Sequence, residues 1–221
     1  MNDLRMRFTK EGTAVYISHL DLMRTMQRAF FRAGYELKYS EGFNPHPRIS
    51  VLQPLSVGSS SECELMDFCL TGDSGNEEEF ISRMNASLPE GIRVTGVYPA
   101  ENKAALMKFM RVRGRFEYDS MPASCAEELA AFYAQSPLTV LRKTKRGEAF
   151  FDLSSAFSDM KIAADETAGT VTLECVISVN DPVLNPELLK KALDQLRPEL
   201  SPDFAAFRRI ETYDSAMNVF R

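Results

Sequence analysis

Two kinds of hydrophobic periodicity alternate along this chain, and their order constrains the fold more than any other feature. Apolar and polar residues alternate over 4–10, which is typical of a half-buried strand. Apolar residues then recur at helical spacing between Ser18, which can cap a helix, and Gly34, which can end one. The sequence therefore predicts a strand over 4–10 followed by a helix over 19–33.

The same two patterns continue to the C-terminus and give the order β-α-β-β-α-β twice. The first copy continues with strands and a helix predicted at 49–52, 64–70, 77–88 and 92–98. The second copy is predicted at 111–118, 123–135, 138–145, 171–179, 186–196 and 207–213, with extra strand or loop at 147–168. We predict an α+β protein of two tandem ferredoxin-like halves with antiparallel sheets, over residues 1–102 and 103–221.

Composition excludes several classes of protein. No apolar run approaches the ~18 residues of a membrane span, and the N-terminus lacks the apolar region of a signal peptide, so we expect a cytoplasmic protein without membrane contact. The four cysteines lack the spacing of a disulfide framework or a zinc ribbon and are expected to be reduced and buried. Neither a P-loop nor a G-x-G-x-x-G motif is present, and no cofactor is predicted.

Both histidines of the chain lie in one polar segment between residues 16 and 48. His19 falls at the start of the predicted helix, where unpaired backbone N–H groups favour an anion. His46 lies between two prolines, which hold the preceding residues extended. We expect these segments to approach one another at one end of the sheet and to form a ligand site from Ser18, His19, Asp21, Arg24, Glu41, Phe43, Asn44, His46 and Arg48.

Three chemistries remain open for this segment. His19, Asp21 and His46 are the catalytic candidates, as a general base, its carboxylate partner and a general acid, although no nucleophile is marked beside them. His19 and His46, with nearby carboxylates, are weak candidates for a metal site, and no metal is assigned. Capping and structural hydrogen bonds are the alternative use of the same side chains. An enzyme acting on its own is therefore the less expected outcome.

Basic residues are patterned although the net charge is −5. Arginines of the two predicted first strands occupy the side away from the core, which in a ferredoxin-like unit is the face that RNA-binding modules use. The nucleic-acid candidates are Arg5, Arg7, Arg28, Arg32, Arg111, Arg113, Arg115, Arg142 and Lys143, with Lys145 and Arg146 beside the last two. Pairing of the arginines with carboxylates, in packed faces, is the alternative.

Three strings carry a resemblance to a known family. They are Ser-His-Leu-Asp-Leu-Met-Arg at 18–24, Ser-Glu-Gly-Phe-Asn-Pro-His-Pro at 40–47 and Pro-Leu-Ser-Val-Gly-Ser-Ser-Ser-Glu at 54–62. With them the chain resembles the radical-SAM-linked protein family of bacteria. That family is a domain of unknown function, found free or fused behind cobalamin-binding radical SAM proteins and often encoded beside ribonuclease G and ribosomal protein genes. The resemblance implies an accessory role linked to RNA or the ribosome.

The chain has no C-x-x-x-C-x-x-C triplet, so it cannot hold a radical SAM cluster itself. Our first hypothesis is an accessory RNA-binding or substrate-recognition protein that works with a radical SAM enzyme on tRNA or rRNA. The second is a hydrolase or transferase that uses His19, Asp21 and His46 on RNA or a phosphorylated metabolite. The third is a protein-interaction module that docks the radical SAM enzyme through an apolar patch. The oligomeric state stays open.

Overall fold

A computed structural model describes residues 3–144 and 147–221 of the chain. Over these residues the protein is mixed α+β, with four α-helices, and the paired strands within each unit are antiparallel. The chain separates into two compact units, Met1–Ala104 with Arg221 and Ala105–Phe220, called unit 1 and unit 2 below. The predicted α+β class is confirmed. The domain boundary between 102 and 103 remains a prediction.

Unit 1 builds one sheet and two helices. Its elements are β1 (Leu4–Lys10), α1 (His19–Arg32), β2 (Ile49–Val51), β3 (Ser60–Phe68), α2 (Glu77–Ser87) and β4 (Ile92–Pro99). The strands are ordered β4-β1-β3-β2. Leu4 at the start of β1 lies opposite Phe68, and Lys10 at its end lies opposite Ser61. The central strand β1 therefore defines two ends of unit 1.

The core of unit 1 is aromatic. Phe30 of α1 lies 5.0 Å from Phe68 of β3, and Phe80 of α2 stacks on Phe68 at 5.4 Å between ring centroids. All three rings are buried together with Met6 and Phe8 of β1. Because each such side chain contributes about 1.5–3 kcal/mol on burial, this cluster fixes both helices on the sheet. The apolar stripe that predicted the first helix is the stripe that packs here.

Unit 2 has a similar sheet and one additional hairpin. Its elements are β5 (Phe109–Glu117), α3 (Cys125–Tyr133), β6 (Thr139–Thr144), β7 (Gly147–Asp152), β8 (Phe157–Asp165), β9 (Thr170–Ser178), α4 (Glu187–Leu196) and β10 (Phe204–Tyr213). Four of the strands are ordered β10-β5-β9-β8. Within residues 3–144 and 147–221, strands β6 and β7 pair only with each other, in a separate two-stranded sheet.

One predicted sheet strand of unit 2 lies elsewhere. The strand predicted over 138–145 is β6 of the separate hairpin, and β8 takes the place beside β9 in the four-stranded sheet. Strand β8 is an edge strand in which every side chain is half-buried or exposed, so its sequence shows no clear alternation. Strand β6 alternates because Val140 and Leu141 face opposite sides, and Val140 is buried. Alternation alone could not tell a hairpin from a sheet strand.

Candidate functional site

The start of α1 is a capped helix terminus. The Ser18 hydroxyl accepts a hydrogen bond from the Asp21 backbone N–H at 3.2 Å and donates to Asp21 Oδ2 at 2.7 Å. Arg24 donates to Asp21 Oδ1 at 3.1 Å. These contacts, the Ser18 hydrogen bond first and the Arg24 bond second, lower the pKa of Asp21. In the described part of the chain His19 has no hydrogen-bond or ion-pair partner, so Asp21 serves the cap rather than the histidine.

A buried lysine fixes the chain just before this helix. Lys10 is buried at the end of β1, and its Nζ donates to the carbonyl oxygens of Val15 at 3.3 Å and Ile17 at 3.2 Å. The backbone N–H of Gly58 donates to the same Val15 oxygen at 2.9 Å. The string at 54–62 therefore contacts the segment that leads into the string at 18–24, at the end of unit 1 where β1 stops.

The string at 40–47 forms a different feature, the 38–48 hairpin, which comprises residues Lys38 to Arg48. Tyr39 pairs with Pro47, and the Arg48 N–H donates to the Lys38 carbonyl at 2.7 Å. The Ser40 N–H donates to the His46 carbonyl at 2.9 Å, and the His46 N–H donates to Ser40 Oγ at 3.1 Å. These bonds close the hairpin below a tip at 41–45.

The tip of the 38–48 hairpin presents an aromatic ring and a fixed imidazole. The Phe43 side chain is fully exposed, and Asn44 and His46 are exposed beside it. His46 Nδ1 lies 2.9 Å from Ser40 Oγ and 3.3 Å from the Asn44 carbonyl oxygen. Among the described residues no side chain or backbone group contacts Nε2 by a hydrogen bond. The ring is thus oriented through Nδ1, and Nε2 is available to a ligand.

The hairpin is attached at the other end of β1. Arg48 lies 3.4 Å from the Asp3 carboxylate, just before β1, and its carbonyl accepts from the Cys69 N–H at 3.1 Å. Leu37, at the base of the hairpin, pairs with Leu70 just after β3. Strand β1 is seven residues long, so its ends are about 20 Å apart at roughly 3.4 Å per residue.

The strand register therefore divides the predicted ligand set between two places. Ser18, His19, Asp21 and Arg24 belong to the end where β1 stops, whereas Glu41, Phe43, Asn44, His46 and Arg48 belong to the hairpin attached where β1 begins. The expected approach of His19 to His46 has no support in this arrangement. The physical reason is that a helix antiparallel to the strand before it returns the chain to the start of that strand.

No metal or thiol site emerges from these residues. Over residues 3–144 and 147–221, His, Cys, Asp and Glu side chains form no group of three or more that could hold a metal ion. The weak metal candidates His19 and His46 belong to segments attached at opposite ends of β1. The four cysteines are buried free thiols. Burial raises the pKa of the Cys175 thiol to about 12, so this thiol stays protonated.

Arg5 is not available to a nucleic acid. Its side chain is 1% exposed, and its Nε and NH2 donate to the two Asp67 oxygens at 2.6 and 2.9 Å. The same NH2 donates to the Asn102 carbonyl at 2.9 Å. The prediction of a phosphate contact here was wrong because a carboxylate 62 residues away fills the guanidinium fork. Arg7, beside it, is half-buried and donates to the Glu62 carbonyl at 3.3 Å.

The arginines of β5 share one face, as predicted, but carboxylates already pair with them. Arg111 lies 3.1 Å from Asp159 and 3.2 Å from Glu174, and Arg113 lies 2.9 Å from Glu174. The Arg113 hydrogen bond, followed by that of Arg111, lowers the pKa of Glu174. Arg115 is 62% exposed and pairs with Glu117 at 3.2 Å on the same strand. The alternative of paired arginines is realised for all three, although the Arg115 pair is the most exposed.

The remaining basic candidates lie on helix and hairpin surfaces. Arg28 is exposed without an ion pair in the described residues, and Arg32 donates to the Ser87 carbonyl at 2.5 Å. Arg142 lies 3.9 Å over the Phe151 ring, and Lys143 is exposed next to it. Lys145 and Arg146 fall outside the described residues. Leu20 and Phe31, two large apolar residues exposed on the outer face of α1, were not predicted as functional residues, although their helical spacing places them on one face.

No helix over residues 3–144 and 147–221 is long and apolar enough to cross a membrane.

Comparisons with known proteins place the chain in a family. No curated protein matches the chain. A solved structure, the small subunit of acetolactate synthase from Thermotoga maritima, is 12% identical over 97% of both chains with a TM-score of 0.24. A family model described as an uncharacterized protein conserved in bacteria (DUF2344) matches residues 3–186, and the chain belongs to this bacterial family.

Proposed function

We propose that this protein is an accessory recognition protein that binds single-stranded RNA through the 38–48 hairpin and works with a radical SAM modification enzyme. One observation carries the RNA part of the proposal. Phe43 is a fully exposed aromatic ring at the tip of a hairpin whose conformation is set by hydrogen bonds and two prolines. A ring held in this position beside exposed polar side chains offers a stacking platform for a base.

The chemistry of the hairpin fits an unstacked nucleotide. A base stacked on an aromatic side chain contributes about 1–3 kcal/mol, and sequence-specific RNA recognition targets splayed bases. Asn44 and the free His46 Nε2 supply hydrogen bonds to a base edge, whereas Arg48 lies at the base of the hairpin and pairs with Asp3. Because Pro45 and Pro47 limit the backbone before binding, little conformational entropy is lost when RNA is bound.

The sheet arginines take a smaller part in this proposal. Glu174 and Asp159 compete with phosphate for Arg111 and Arg113, whereas Arg115 is paired only with an exposed neighbour. Ion pairs between exposed side chains contribute about 0–1 kcal/mol to stability, so another anion can replace the carboxylate at little cost. We therefore assign Arg115 a supporting phosphate contact and leave Arg111 and Arg113 as structural residues.

The fold of the two units is part of the proposal. When the β6–β7 hairpin is left out, the four sheet strands of each unit are ordered fourth, first, third and second, as β4-β1-β3-β2 and β10-β5-β9-β8. With two helices in each unit, this order supports tandem ferredoxin-like halves, the second carrying the β6–β7 hairpin as an insertion. A radical SAM partner is supported by the resemblance of the strings at 18–24, 40–47 and 54–62.

The geometry gives little support to a hydrolase or transferase, because the proposed base His19 and the proposed acid His46 belong to segments attached at opposite ends of β1.

A docking function is favoured by one observation. Leu20 and Phe31 are exposed on the face of α1 opposite its buried stripe, beside the exposed Arg24 and Arg28. An acidic and apolar surface on the radical SAM enzyme would complement this face. Loss of copurification in L20E/F31E would support docking there.

Crosslinking in native cells tests the RNA proposal. We expect ultraviolet irradiation to join RNA to the protein, and mass spectrometry of the joined peptides to map the adduct to residues 38–48. Recovery of the protein with no RNA, or RNA adducts confined to other peptides, would contradict the proposal. Radical SAM protein captured in the same sample by chemical crosslinking would support the partnership.

A further inference from the structure

A cleft in unit 2 lies between the β6–β7 hairpin and α4. Its volume is about 630 Å³, within the range of roughly 300–1,000 Å³ that small-molecule sites occupy. Leu141, Val183 and Leu188 form an apolar wall, and charged and amide side chains line the remainder. We propose that this cleft binds a small organic phosphate with a hydroxylated body, such as a sugar phosphate.

The walls of the cleft are held in place before any ligand arrives. The Gln195 side-chain amide accepts from the Leu141 N–H at 2.9 Å and donates to the Leu141 carbonyl at 2.8 Å, which fastens β6 to α4. Arg142 donates to the Val183 carbonyl at 3.3 Å and lies over the Phe151 ring. A cleft fixed at both sides loses little entropy when a ligand enters.

Cations at the cleft supply the phosphate-binding chemistry. Lys143 and Lys191 line it, and in the described residues neither makes a hydrogen bond or an ion pair. The neighbouring Lys190, in contrast, is paired with Asp194 at 2.7 Å. Arg142 uses one NH1 donor on Val183 and retains further N–H donors in its planar fork. The chain as a whole has a net charge of −5, yet three cations line this one cleft. They favour the binding of an anionic group there.

Two carboxylates restrict the body of the ligand. Glu148 and Glu187 also line the cleft, and an ionised carboxylate only accepts hydrogen bonds. A bare anion would be repelled by them, whereas the hydroxyl groups of a sugar would donate to them. The apolar wall then covers the carbon skeleton. This combination distinguishes a sugar phosphate from inorganic phosphate and from a purely apolar acid.

Calorimetric titration of the full chain with ribose 5-phosphate at low salt tests the inference. We expect saturable binding that K143M/K191M weakens at least tenfold, while the control K161M, at an exposed lysine of β8 outside the cleft, binds as the unchanged chain does. E187Q should weaken ribose 5-phosphate without weakening inorganic phosphate.

Three results would overturn the inference: no saturable binding, equal affinity in K143M/K191M, or inorganic phosphate binding as tightly as ribose 5-phosphate. The two substituted lysines are exposed, and thermal unfolding of each variant verifies that it is folded. The titration contains no RNA and does not involve the 38–48 hairpin, so its outcome is independent of the RNA proposal.

Discussion

Arg5 on β1 and Asp67 on β3 lie directly opposite each other in the sheet of unit 1 and form an ion pair with two hydrogen bonds of 2.6 and 2.9 Å. The guanidinium is buried, whereas the Asp67 side chain is 31% exposed. Removal of one partner of a buried ion pair is strongly destabilising, because the charge of the other partner is left buried without an opposite charge beside it. The pair is therefore a structural element of unit 1.

Arg5→Ala should lower the free energy of unfolding by about 3 kcal/mol, at the lower end of the range for broken buried pairs because Asp67 keeps some water. Urea titration followed by circular dichroism measures the change. Arg28→Ala, at an exposed arginine of α1, is the matched control and should change stability by less than about 0.5 kcal/mol. Similar values for the two variants would mean that Arg5 is not a structural residue.

The stability of unit 2 should depend on pH through Glu174. Its arginine partners lower the pKa of Glu174 in the folded chain below the ordinary value of 4.5. As the pH falls, the Glu174 carboxylate is therefore protonated at a higher pH in the unfolded chain than in the folded chain. The stabilising contribution is present above the unfolded pKa and is lost as the pH falls through the folded pKa. Urea titrations between about pH 6 and pH 3 should show this decline in the unchanged chain.

Glu174→Gln should flatten that decline, because the titrating carboxylate is gone. Glu78→Gln, an exposed glutamate at the start of α2, provides the comparison and should retain the decline. An identical pH dependence in Glu174→Gln and the unchanged chain would show that the arginine face does not depend on this carboxylate.

Ser18→Ala should lower the free energy of unfolding by about 1 kcal/mol, since it removes the side-chain cap of α1. Ser50→Ala, at an exposed serine in β2, should leave stability nearly unchanged. Denaturant titration compares the two. Equal stability of both variants would indicate that the contacts of Lys10 alone hold the start of α1.

The strongly periodic elements were predictable from the sequence. The first strand was predicted at its observed bounds, and the first helix ended one residue short of the prediction, because their apolar residues face the core at regular spacing. Strand β8 lies in the range 147–168, for which the sequence predicted extra strand or loop without bounds, since an exposed edge strand needs no apolar alternation. The periodicity of apolar residues thus identifies elements with one buried face. It does not identify elements that are held mainly by backbone hydrogen bonds.

The candidate site was predictable only in its parts. The prolines beside His46 indicated a rigid segment, and the structure has a closed hairpin there. Local pattern does not say at which end of β1 the segment is attached, because that depends on contacts with Asp3 and Cys69. The burial of Arg5 likewise depends on Asp67 and Asn102, which are distant in sequence.

Replacing Arg111, Arg113 and Arg115 together by Ala should reduce the salt dependence of RNA binding by only one phosphate contact. Two of these arginines are engaged by Glu174, so the slope of log K against log salt should fall by about 0.7, the value for one contact to a single strand. Anisotropy titrations at several salt concentrations give the slope. A fall near 2 would show that all three arginines contact phosphate, and an unchanged slope would remove Arg115 from the interface.

The most direct test of the account is the affinity of Phe43→Ala for single-stranded RNA. The loss of one stacked base predicts binding weaker by about tenfold or more, with an unchanged melting temperature because the ring is fully exposed. Phe150→Ala is the matched control, since Phe150 is 81% exposed on the β6–β7 hairpin, and it should bind as the unchanged chain does. Fluorescence anisotropy with a labelled single-stranded RNA measures all three affinities. Equal affinity of Phe43→Ala and the unchanged chain would contradict RNA recognition by the 38–48 hairpin.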